Sequence, residues 1–287
     1  MIETLKADFG KWHVHCIPED GARISVLKYE GFDLLTPEPA LFMPPEIFYG
    51  EYETRPVYGY DDCFPSVDRS VYPGEEYECR DHGEICWNKW SVVNEGTGLI
   101  CHTICRKPAT DFKRILYFEG DKLTWRFEVK NLSDKKLTFL HVMHALLPLD
   151  QIRSIKLPHS ENIVDEIKTA DYNLKDPGEL EEDLLRNQSG NYKMLLLNKI
   201  SDGLVSLGFH NGLSLSISFD KELFPTIGIW WNHKGYPEEE GHQRTECAFE
   251  PIPGSCSSLS ASFRDGLFLS AEPGEIFSWE IIWTINH

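Results

Sequence analysis

The sequence predicts an all-β fold, a large sandwich of antiparallel sheets. Three observations carry that expectation. Short runs of alternating apolar and polar residues recur from one end of the chain to the other. The runs close on turn-forming residues. No stretch shows a long helical repeat, so helices are not expected to build the core.

Taken in order, Arg23-Ile24-Ser25-Val26-Leu27-Lys28-Tyr29 alternates and ends at Gly31, the pattern of a strand leaving into a turn. Leu123-Thr124-Trp125-Arg126-Phe127-Glu128-Val129-Lys130 alternates strictly until Asn131, which gives one apolar and one wet face. Residues 161–191 break the rhythm. They are acidic and polar, with Asp176-Pro177-Gly178 inside them and Glu179-Leu180-Glu181-Glu182-Asp183 following. They read as a solvated excursion between strands, or else as a loop over a binding cleft, since long loops on rigid sheets often carry function. Leu213-Ser214-Leu215-Ser216-Ile217-Ser218-Phe219 resumes the alternation and closes on Asp220. Two final apolar runs flank the turn signal Pro273-Gly274. No internal repeat and no low-complexity linker interrupts the pattern, so residues 1–287 read as one domain.

Charge and cysteine usage narrow the partners. With 28 basic against 46 acidic residues the formal charge is −18, which disfavours nucleic acid and anionic membrane surfaces and leaves a neutral small molecule as the expected ligand. The eight cysteines include no CxxC pair, so neither a zinc site nor another metal is expected. The opening residues lack a secretory leader pattern, and no apolar run approaches the ~18 residues of a membrane span. Reduced thiols and a cytoplasmic location are the expectation.

Four groups of residues offer chemistry. Glu250, in Phe249-Glu250-Pro251, is a carboxylate on an apolar strand, where partial burial would raise its pKa toward the range of a general base; the alternative is a surface ion pair. His144 and His141 share an apolar run and differ by three, so on one strand they face opposite sides and at most one reaches a given cleft. A histidine there serves as a general acid or as a core residue. His82, between Asp81 and Gly83, stands where a tight turn lets a ligand approach the backbone. The fourth group is polar and aromatic. Trp87, Trp90, Trp230 and Trp231 are candidate stacking faces for a sugar ring, of which Trp87 and Trp231 are taken as contacts, and Asn232 offers both donor and acceptor to a hydroxyl. The paired acids Asp61 and Asp62 complete the expected binding set. No G-x-S-x-G elbow, phosphate loop or dinucleotide fingerprint is present.

In this order the segments resemble the aldose 1-epimerase (galactose mutarotase-like) family. Gly21-Ala22-Arg23-Ile24-Ser25-Val26-Leu27 and Gly31-Phe32-Asp33-Leu34-Leu35 look like its opening strands. Gly59-Tyr60-Asp61-Asp62-Cys63-Phe64-Pro65 and Asp81-His82-Gly83-Glu84-Ile85-Cys86-Trp87 are similar to signatures of one branch. Val129-Lys130-Asn131 followed by His144 resembles the strand that delivers the family's catalytic histidine, and Gly228-Ile229-Trp230-Trp231-Asn232, Glu250-Pro251 and residues 269–275 look like its closing segments. The resemblance implies a supersandwich with no cofactor, Glu250 as the base at the anomeric hydroxyl and His144 as the acid at the ring oxygen. His82 would help to hold the sugar. The family's early Asn-Arg pair has no counterpart here, Arg55 and Arg80 standing nearby but outside it, and for its further aspartate only Asp220 offers itself. Without an arginine cluster a phosphosugar is disfavoured. A non-catalytic sugar-binding domain on the same fold is the alternative, and it would not need both His144 and Glu250.

Overall fold

Alternation along the strands decides which side chains meet. In the computed structural model, which describes residues 3–172 and 177–287, the strand Lys122–Asn131 turns Leu123, Trp125, Phe127 and Val129 inward, all fully buried. It lies near the middle of an eight-stranded antiparallel sheet that runs Ile152–Lys156, Leu204–Phe209, Ser214–Phe219, Ile276–Asn286, Lys122–Asn131, Ala109–Glu119, Gly98–Arg106 and Ser91–Asn94. This sheet is one layer of the sandwich.

Two further sheets face it. A six-stranded sheet orders Leu5–Phe9, Trp12–Ile17, Arg23–Tyr29, Tyr60–Cys63 and Val142–Ala145, with the short strand Phe32–Asp33 added to Arg23–Tyr29. A five-stranded sheet orders Ala170–Asp171, Asn162–Asp165, Asn191–Asn198, Thr226–His233 and Thr245–Ile252. Their inner residues join those of the large sheet in one continuous core, where Tyr60 meets Trp125 at 4.5 Å and Phe9 stacks on Phe118 at 4.5 Å between ring centroids. Each such aromatic contributes roughly 1.5–3 kcal/mol by leaving water. The two smaller sheets meet at a seam, where Leu147 and Cys247 exchange backbone hydrogen bonds of 2.7 and 3.0 Å. That seam sets Val142–Ala145 beside Thr245–Ile252, and the site lies across it.

Residues 161–172 and 177–191 are not a solvated excursion. Asn162–Asp165 pairs with Asn191–Asn198 and carries the edge strand Ala170–Asp171. The helix Pro177–Leu185 follows, with proline at its first position, where the missing N–H costs nothing. Leu180 and Leu184, one turn apart, are buried against the core. Asp176, the first residue of the expected turn, lies outside the described residues. No described helix is long and apolar enough to cross a membrane.

Candidate active site

On the strand Val142–Ala145, Met143 and Ala145 face the core between the layers, and His144 faces the other way, into a cleft of about 400 Å³. The paired strand Tyr60–Cys63 places Asp61 directly opposite His144 in register. On Thr245–Ile252 the same period of two sends Cys247 and Phe249 inward and sets Glu246 and Glu250 in the cleft wall. His144 and Glu250 thus arrive from two different sheets.

Glu250 is 3% exposed and lines the cleft without a side-chain hydrogen bond among the described residues. Burial pushes its carboxyl up to about 7, His144 offsets part of that, and Glu166, Asp61 and Asp68 add to it. Gly228, its partner across the sheet, keeps the space beside it open. A Cβ there would stand 3.3 Å from Glu250 Oε2 and 2.9 Å from Met194 Cε.

His144 is held from behind. Its Nδ1 lies 3.1 Å from the Tyr52 hydroxyl and 3.2 Å from Asp61 Oδ1. The Tyr52 hydroxyl donates to Asp61, at 2.8 Å to Oδ2, so its own oxygen accepts from the ring. With two acceptors on Nδ1 the proton of the neutral ring sits there, and Nε2 is left for the cleft. Burial works against the charged ring, but the Asp61 carboxylate outweighs it and, with help from Glu250 and Glu246, raises His144 above its ordinary value. Asp61 stays ionised although burial opposes it. Arg23, 3.1 Å away, the His144 bond and Arg55, 3.5 Å away, hold it well below the usual carboxylate range.

His82 reaches the cleft through strained backbone. His82 and Gly83 both have positive φ, +60° and +77°, and a Cβ on Gly83 would lie 2.2 Å from Phe64 O. The turn stacks the His82 ring on Tyr52, 3.8 Å between centroids and 9° between planes, and brings it 4.9 Å from the His144 ring. Asp81 fixes the ring through Nδ1 at 2.8 Å and accepts from the Tyr52 backbone N–H at 3.2 Å. The opposite wall is aromatic. Tyr236 sits 5.5 Å from Trp230, 5.4 Å from Tyr192 and 5.3 Å from Tyr49, and all four line the cleft.

Several expected contacts fall elsewhere. Asp62, one residue beyond Asp61, points to the opposite face, where it pairs with buried Arg114 and with His141, whose Nε2 is 3.0 Å away. His141 is therefore the core histidine of the two. Trp231 is 2% exposed in the core near Phe249, and its neighbour Trp230 takes the cleft side. Trp87 lies outside the cleft lining, with the guanidinium groups of Arg55 and Arg80 5.0 and 5.6 Å from its ring centroid. Asn232 is fully buried and braces the turn that carries Tyr236, accepting from the Gly235 and Tyr236 N–H groups at 3.0 Å and donating to Tyr236 O at 2.7 Å. Asp220 caps an exposed turn after Ser214–Phe219, away from the site. Asp61 touches His144 from behind and does not line the cleft.

The cleft also holds groups that no local motif announced. Tyr52 comes from a 3₁₀ turn, Glu166 from the loop after Asn162–Asp165, and Arg244 from the residue before Thr245–Ile252. Arg244 does not face a ligand freely. Both Nη atoms bind Glu53 at 2.8 Å and Nε binds Glu246 at 3.0 Å. Among the described residues, the cleft offers no cluster of free cations for a phosphate dianion.

No protein-family model and no curated protein matches the chain. Solved structures do. A candidate aldose 1-epimerase from Escherichia coli K12 superposes with a TM-score of 0.75 at 14% identity, covering 99% of this chain and 99% of that one. A galactose mutarotase related enzyme from Lactobacillus acidophilus gives 0.69 at 16% identity, with 99% and 98% covered. A galactose mutarotase-like protein from Lactobacillus casei gives 0.64 at 13%, with 99% and 100% covered. The chain has the galactose mutarotase-like sandwich fold.

Proposed function

We propose that this protein is an aldose 1-epimerase, which interconverts the anomers of a free neutral sugar by opening and closing its ring. The observation that carries this reading is a buried carboxylate poised near neutrality, Glu250, in the same cleft as a histidine whose raised pKa keeps a proton available, His144. Glu250 takes the proton of the anomeric hydroxyl as His144 Nε2–H gives one to the ring oxygen. The C1–O5 bond breaks and C1 becomes an aldehyde. Rotation about C1–C2 presents the other face of the carbonyl. The ring oxygen then closes on C1 while the two proton transfers run backward, so both groups return to their starting states. Only protons pass between sugar and protein, and the step asks for no cofactor.

The rest of the cleft serves position. His82, oriented by Asp81, suits a hydroxyl, and Trp230 and Tyr236 offer faces to the C–H side of a pyranose. A sandwich fold alone supports many activities, so the reading rests on the site. It is tested by NMR exchange spectroscopy on a panel of neutral aldoses with wild type and His144→Ala. Acceleration of anomer exchange by wild type, lost in the variant, supports it. Sugar-dependent shifts of protein resonances without acceleration would replace it with a sugar-binding domain.

A further inference from the structure

A second cavity, of about 480 Å³, adjoins the first and shares Glu53, Val57, Arg244 and Glu246 with it. Its outer wall is the proline-rich strap around Pro39, Phe42, Met43 and Pro45, and its other wall is the turn that carries His242 and Gln243. The strap is anchored although it has no regular secondary structure. Thr36 N–H binds Leu146 O at 2.8 Å at one end. At the other, the Glu46 and Ile47 N–H groups bind the Glu239 carboxylate at 3.1 and 3.0 Å, and Tyr49 OH accepts from Glu239 N–H at 3.1 Å. The cavity is therefore formed before any ligand arrives.

Its lining is amphipathic. Phe42, Met43 and the prolines give apolar surface, and Gln243, Thr245, the Glu240 carboxylate and the His242 ring give hydrogen-bonding groups. Gln243 uses its amide oxygen on Gly241 N–H at 2.9 Å, which leaves the amide NH₂ without a protein partner among the described residues. The one guanidinium on the boundary, Arg244, is already paired with Glu53 and Glu246. A site with apolar walls, hydrogen-bonding groups that include the Glu240 carboxylate and, among the described residues, no free Lys or Arg matches a second uncharged sugar ring better than a phosphate or a carboxylate.

We propose that this cavity is a subsite for the second ring of a neutral reducing disaccharide whose reducing ring occupies the cleft of His144 and Glu250. The inference rests on the reading of that cleft as the place where a sugar ring opens. Ring opening requires a free anomeric hydroxyl between His144 and Glu250, so the second ring is joined through another hydroxyl of the first and leaves the cleft past Arg244. The contact of sugar with Phe42 and Gln243 adds affinity that a monosaccharide cannot reach.

The test compares maltose, cellobiose, lactose and melibiose with glucose and galactose, using the full chain, Phe42→Ala and Gln243→Ala. Anomer exchange gives kcat/KM and calorimetry gives Kd. At least one disaccharide is expected to exceed its reducing monosaccharide about tenfold in kcat/KM, and either variant is expected to remove that advantage while the monosaccharide rate stays within about twofold. Monosaccharides turned over with no disaccharide preference in rate or affinity would overturn the subsite and leave the epimerase reading standing. Disaccharides bound more tightly than monosaccharides, with no turnover of either and the preference lost in Phe42→Ala, would keep the subsite and overturn the epimerase. Neither turnover nor binding of any of the six sugars would overturn both.

Discussion

His144 owes its readiness to donate a proton to the carboxylate behind it. Asp61 raises the histidine's pKa against the pull of burial, so Asp61→Asn removes the main support of the charged ring. The alkaline limb of the kcat/KM profile, where His144 loses its proton, is expected to move to lower pH, with a rate loss at pH 8 of roughly tenfold or more. A limb that stays in place while the rate falls would make Asp61 purely structural. The variant also leaves Arg23 and Arg55 short of a buried partner, which costs on the order of 3–5 kcal/mol of stability, so folding is checked by circular dichroism first. At this scale the sequence told which residue types mattered and not which of two neighbours faced the ligand. Asp61 and Asp62, and likewise Trp230 and Trp231, are adjacent on strands. Adjacent strand residues point to opposite faces, and a strand buried on both sides carries no polar alternation to mark which face is which. His141 and His144 were separable only as facing apart.

Elements that deliver the site differ in how rigidly the backbone holds them. The turn at His82 and Gly83 is the strained one, and Gly83→Ala would place a methyl 2.2 Å from Phe64 O at a φ of +77°. We expect a loss of roughly 1–3 kcal/mol in urea unfolding, together with weaker sugar binding as the His82 ring leaves its stack on Tyr52. An unchanged unfolding midpoint would show that the turn relaxes freely. The alternating strands were legible because one face of each is wet, as in Lys122–Asn131 and Ser214–Phe219. Asn162–Asp165 was not, since it is only four residues long and mostly half-buried near a sheet edge. The helix Pro177–Leu185 hid its two buried leucines in an acidic run whose other residues are exposed or half-buried. Arg244, Tyr52 and Glu166 escaped notice because the cleft assembles them from three distant segments that share no local pattern.

Across the whole molecule, keeping Glu250 in its buried position opposes folding. Its carboxyl is raised from 4.5 to about 7, so below about pH 4.5 it is protonated in both folded and unfolded chains and has no effect. As pH rises, the unfolded chain ionises first, and stability is lost until the folded carboxyl ionises too, near pH 7. That loss is on the order of 3 kcal/mol. Glu250→Gln should therefore be more stable than wild type at pH 8 by about that amount and no more stable at pH 4, as read by thermal unfolding at the two pH values. Equal stability at both would mean that the carboxyl is not held in a dry site. The same substitution is the most direct test of the chemistry. In NMR exchange spectroscopy at pH 7.5, wild type should accelerate anomer exchange of a neutral aldose, and Glu250→Gln should be about 10²–10⁴-fold slower while still binding the sugar. Full activity in Glu250→Gln would contradict the assignment of Glu250 as the base.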